Sequence, residues 1–184
     1  MPDDQPRIAP LGDGELDDAQ RELVAASGSP QLNIFRTLAR HPGLFRRWLP
    51  FGGKLLGGGK LSGRDRELVI LRTAFVCRAR YEWAQHVSIA RAAGLADEEI
   101  RAVARGADDP VWGEHDGALL RAVDELHDEH CISEATWNAL EHQYTTEQLI
   151  EVPMLSGHYA MLAGALNSLG VQPESPSLPA LGEL

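Results

Sequence analysis

Cysteine is scarce in this 184-residue chain: Cys77 and Cys131 are the two, far apart, in neither a CxxC nor a zinc-binding pattern. That spacing excludes a disulfide framework and a local thiolate metal site, and it suits a reducing compartment, so a cytoplasmic location is expected. Net positive charge is lacking too. The balance of −10 opposes general binding to nucleic acid, whose phosphates it would repel. No uninterrupted apolar run approaches membrane-spanning length, since the longest, near residues 68 to 77, is broken by Arg72. The opening "MPDDQPRIAP" lacks the basic-then-apolar order of a secretory signal. Finally, no segment alternates with period two, so no strand is expected.

What is present has the period of helices. At this length the chain suits one domain with a substantial core. "ELDDAQRELVAA" places Leu16, Ala19, Leu23 and Ala26 at helical spacing. "NIFRTLARHPGLFRRWLP" reads as two short helices punctuated by Pro42 and Pro50. "FGGKLLGGGKLSG" reads as a glycine-rich connector or mobile loop. It is no phosphate-binding loop, because Lys54 stands where Gly is needed and Leu61 where Ser or Thr is needed.

Ser62 with Asp65 resembles a capping box and starts a central helix to about Cys77. The next helix runs from near Arg80 to "AAGL", where Gly94 suits a left-handed cap. Further helices are expected over "DEEIRAVARG", over 114–129, from Ser133 to about His142, and from Thr145 to Leu169 with a bend at Pro153. The expectation is an all-α protein. Residues 1–12 and 171–184 are read as loose tails, 13–61 as a helical N-terminal extension and 62–170 as the core.

Three constellations could carry chemistry. Glu67 shares the inward face of the central helix, although a carboxylate in a first turn also suits the helix dipole. "YEWAQH" puts Glu82 and His86 four apart on one face, with Tyr81 and Trp83 beside them. A buried Glu–His pair of this kind fixes the imidazole tautomer and raises its basicity, although the same spacing also serves surface pairs. In the final helix Glu151 and His158 lie seven apart on an otherwise apolar stripe. "DELHDEH" offers Asp124, His127, Asp128 and His130 without a third metal ligand at good spacing, so no metal is expected. Arg36, Arg40, Arg46, Arg47, Lys54, Lys60, Arg64 and Arg66, eight of 17 cations, cluster around a single acid, Asp65. Such a cluster is either a solvated surface or an attractor for a small anion.

The stretch "LSGRDRELVILRTAFVCRARYEWAQHVSIARAAGLADEEI" resembles the carboxymuconolactone decarboxylase superfamily, which includes the alkylhydroperoxidase D-like proteins. Weaker resemblance extends over roughly residues 31 to 170. It implies an all-helical bundle that assembles as a homo-oligomer (dimer, trimer or hexamer). In the peroxidase branch it implies a Glu, a CxxC pair and a His. These fall on Glu67, on Ala79 and Glu82, and on His86, so both sulfurs are missing and a dithiol cycle cannot run. The remaining implication is cofactor-free decarboxylase-like chemistry on a small, anionic, lactone-type substrate. His86 would transfer the proton, Glu82 would orient it, and Glu67 would serve as a second acid or an orienting partner. Tyr81, Trp83, Glu151, His158 and an arginine such as Arg64, Arg72 or Arg80 would contact the substrate. Residual thiol chemistry through Cys77 and a non-catalytic ligand-binding oligomer are the competing readings.

Overall fold

The computed structural model describes residues 5–175 and 177–183, and the outermost ends of the two tails lie outside them. Among the described residues the secondary structure is helical, with no strand. The chain divides into two compact units. One takes the N-terminal residues to Gly59 together with the segment beginning at Ala165; the other takes Lys60–Gly164 and the last residues from Ser177.

The first unit contains α1 (Asp18–Ala26), α2 (Asn33–Leu38) and α3 (Pro42–Gly57). Asp17 and Gln20 form a reciprocal capping box that starts α1. Leu23, Val24, Ala39 and Phe45 make the unit's core. Phe35 stacks on Phe45 with ring centroids 6.0 Å apart, and Trp48 lies tilted against both. Leu11 joins this core, and its N–H donates to the Arg36 carbonyl.

The expected loop over "FGGKLLGGGKLSG" is corrected here. Helix α3 passes through Pro50 and continues to Gly57. A proline removes one intrahelical hydrogen bond and strains one turn. Phe45 and Leu55, buried on either side of it, hold the helix together.

In the second unit α4 (Gly63–Val76) is central, packing against α5 (Arg80–Ala92), α6 (Asp97–Arg105) and α7 (Glu114–Asp128). Its Leu68, Val69, Ile70 and Leu71 are four successive residues with no exposed surface, the mark of a helix surrounded on all sides. Ser62 accepts from the Asp65 N–H at 3.0 Å and begins it. At the far end of α5, Gly94 takes φ +95° while the Leu95 N–H reaches back to the Ala90 carbonyl.

Helix α8 (Glu134–Glu141) packs on α7, and the 24-residue α9 (Thr146–Leu169) follows. By length and composition α9 is apolar enough to cross a membrane, although Glu151 and His158 interrupt its apolar residues. Half of that apolar stretch is buried, with Val152, Leu155 and Ala163 fully so, and a core helix has the same composition.

Candidate functional site

Helices α4 and α5 bring Glu67 and His86 into contact. Glu67 lies in the first half of α4, and the apolar residues that follow it force its face inward, leaving it no exposure. His86, 6% exposed, places its Nδ1 2.7 Å from Glu67 Oε2. The other carboxylate oxygen, Oε1, accepts from Arg66 Nε at 2.9 Å. One cation therefore holds Glu67, and Glu67 holds the imidazole. With Nδ1–H donating to the carboxylate, Nε2 is the free basic nitrogen. The Tyr159 ring meets the imidazole edge-on, its centroid 5.2 Å away, and closes the other side.

Glu82 corrects the sequence reading. It does not orient His86; that partner is Glu67. Glu82 is 2% exposed, and both of its carboxylate oxygens lie buried without a hydrogen-bond partner. Burial pushes its carboxyl well above the usual carboxylate range, because desolvation disfavours the charged form. Burial also raises the Tyr159 hydroxyl, and the nearby Glu67 carboxylate adds to that shift.

Several expected substrate contacts are committed elsewhere. Arg64 donates to Glu99 at 2.6 Å and to Asp116 at 2.7 Å. Arg72 grips Asp124 with Nε and Nη2, at 2.6 and 3.0 Å, and donates to the Val103 carbonyl. Glu151 accepts from the backbone N–H groups of Lys60 and Leu61 and so anchors the entry to α4. Trp83 is wholly buried against Phe75, and its indole N–H donates to the Glu183 carbonyl. Tyr81 is likewise buried. His158 is buried with its ring edge-on to Tyr159, and desolvation lowers its pKa. Arg80, the first residue of α5, is exposed.

Sequence reasoning missed Arg66 and Tyr159. Adjacent residues on a helix point apart, so nothing in the spacing announces an Arg66–Glu67 contact. Tyr159 adjoins the singled-out His158, but only packing reveals which of the two faces His86.

A cavity of about 220 Å³ in the same unit is lined by other residues, among them Thr73, Cys77, His127 and Ser156. Asp65, His115 and Asp116 offer ligand atoms within 4.8 Å of one another. The guanidinium 2.7 Å from Asp116 already supplies positive charge there, so the group reads as an ion-pair network.

Comparison with known proteins matches residues 42–125 to the carboxymuconolactone decarboxylase family. No curated protein matches the chain in sequence. Solved structures share the fold at low identity. An uncharacterized peroxidase-related protein from Ralstonia eutropha JMP134, described as an alkylhydroperoxidase AhpD core, superposes with a TM-score of 0.77 at 21% identity, covering 91% of this chain and 93% of that one. A peroxidase-related protein from Silicibacter sp. TM1040 gives 0.76 at 14% identity, with 90% of each chain covered. The debrominase Bmp8 gives 0.73 at 14% identity, covering 91% of this chain and 92% of its own. Residues 42–125 thus match the carboxymuconolactone decarboxylase family, and the helical architecture is the fold of these solved structures.

Proposed function

We propose that the protein is a cofactor-independent acid–base catalyst of the carboxymuconolactone decarboxylase type, acting on a small carboxylated, lactone-like substrate. The observation that carries this reading is the buried 2.7 Å contact between Glu67 and His86, with a buried, unpartnered Glu82 on the same helix as the imidazole. Decarboxylation of a lactone acid passes through an enolate-like intermediate that must be reprotonated at another carbon. His86 Nε2 is the proton-transfer group, and Glu67 fixes its tautomer and stabilises the imidazolium formed in passing. Glu82, whose carboxyl burial shifts toward the protonated form, is the proton donor. Arg66, with one N–H on Glu67 and further donors on its guanidinium, takes the substrate carboxylate. Burial keeps water from the intermediate. The reading includes self-association into a homo-oligomer and a cytoplasmic location.

The test is a screen of the purified protein against lactone acids, following CO₂ release and proton exchange. On the substrate so found, His86→Ala is expected to lower turnover about 10²–10⁴-fold with the far-UV circular dichroism unchanged. Undiminished turnover in the folded variant overturns the assignment.

A further inference from the structure

From a separate part of the second unit we infer a thiol site. Cys77 and His127 form a nucleophile–base pair at the cavity of about 220 Å³, and that site takes a small, uncharged, electrophilic ligand such as an α,β-unsaturated carbonyl compound. The inference goes beyond the Glu67–His86 reading and does not depend on it.

Two helix ends build the site. Cys77 caps the C-terminus of α4, and the chain reverses directly after it through Arg78 at φ +55°. His127 lies in the last turn of α7, which is followed by His130 at φ +59°. The Cys77 sulfur and His127 Nδ1 are 3.7 Å apart, within reach of a sulfur hydrogen bond. Both side chains line the cavity, so an occupant meets the sulfur and the imidazole together. Thr73 and Ser156 line it as well; the Thr73 hydroxyl donates to the Val69 carbonyl and lies 3.3 Å from the Ser156 hydroxyl. Much of the remaining lining is apolar, as with Val76, Val123 and Leu126. Among the described residues neither lysine nor arginine lines the cavity, so no permanent cation awaits an anion there, and the ligand class is uncharged.

Burial pushes the Cys77 thiol up. It therefore rests as S–H and needs a base at the moment of attack, and a thiolate of high pKa is intrinsically the stronger nucleophile. With His127 in the Nε2–H tautomer, the thiol proton passes to Nδ1 as sulfur bonds the β-carbon. The π electrons move onto the carbonyl oxygen. The resulting enolate then takes the proton back from His127 at its α-carbon. The products are a thioether and a neutral imidazole, and no oxidant or reductant is consumed.

Cys131 is exposed and serves as an internal reference. The full-length protein is treated with acrylamide, a small neutral acceptor, and with iodoacetate, an anionic alkylating agent, and the labelling rate of each cysteine is read by peptide mass spectrometry. Acrylamide is expected to label half-buried Cys77 faster than Cys131, and iodoacetate to reverse that order. His127→Ala, at an exposed position, should slow acrylamide labelling of Cys77 at least tenfold and leave Cys131 unchanged. Filling the cavity by Ala160→Leu should likewise slow Cys77 alone. If Cys77 reacts no faster than Cys131 with acrylamide, or keeps its rate in folded His127→Ala, the inference fails. If His127→Ala unfolds, the same comparison is made with His127→Gln, which keeps a polar side chain but supplies no base.

Discussion

Burying a carboxyl group without a hydrogen-bond partner is costly, and Glu82 stands in that position while Glu67, equally buried, is held by both Arg66 and His86. Two acids on neighbouring helices thus differ in how they are partnered, and environments that differ in this way are what separate an acid from a base. The difference has a consequence for stability. With its pKa raised in the folded state, Glu82 binds more protons folded than unfolded at pH values above the usual carboxylate range. Its contribution is therefore fully present below the unfolded pKa and is lost as pH rises through the folded one. Glu82→Gln, which keeps the shape and removes the ionisation, should melt above the parent protein at pH 8. The gap should narrow at pH 5, as followed by thermal circular dichroism. A gap independent of pH would mean that Glu82 does not titrate as its burial dictates. From "YEWAQH" the acid and the imidazole were both legible, but not which carboxylate would bind the ring. Four residues apart on one helix is a short distance, yet the Glu67 carboxylate, 19 positions away, points at the ring from a neighbouring helix.

At the scale of elements, α4 and α5 are positioned by their ends. The Ser62 hydroxyl satisfies the Asp65 N–H that begins α4, and Glu67 follows two residues later. Ser62→Ala should lower stability by about 1 kcal/mol in a urea titration. Gly94 adopts a left-handed conformation at the end of α5, with open space where a side chain would go. Gly94→Ala should therefore cost about 1–2 kcal/mol through backbone strain alone, without a steric clash. A loss near zero would mean that the turn relaxes freely. The sequence announced these two ends because caps are chemical choices made locally. It misjudged α3 because prolines and glycines have local propensities for ending helices, and burial of Phe45 and Leu55 outweighs those propensities.

Across the molecule, the arginines expected to bind substrate act as cross-links. Arg72 joins α4 to Asp124 of α7 and to the last turn of α6, with its side chain 12% exposed. Removing it leaves Asp124 without its cation and the Val103 carbonyl without its donor. Arg72→Ala should therefore lose about 3 kcal/mol of stability by denaturant midpoint. It should leave KM for the substrate of the His86 reaction unaltered. A raised KM at unchanged stability would return Arg72 to the binding site. Light scattering is expected to give a particle mass that is a multiple of the 20.1 kDa chain; a monomer would remove self-association from the proposed function.

By itself the sequence determined the helical class, the positions and caps of most helices, and the presence of two carboxylates and an imidazole between residues 67 and 86. All of these follow from hydrophobic period and local hydrogen bonding, which act over a few residues. Tertiary structure alone decided that Glu67 rather than Glu82 holds His86, that Arg64 and Arg72 are spent on Asp116 and Asp124, and that Cys77 meets His127 across 50 positions. Which groups meet, and which buried group goes without a partner, depends on how separate helices pack, and no local spacing encodes that.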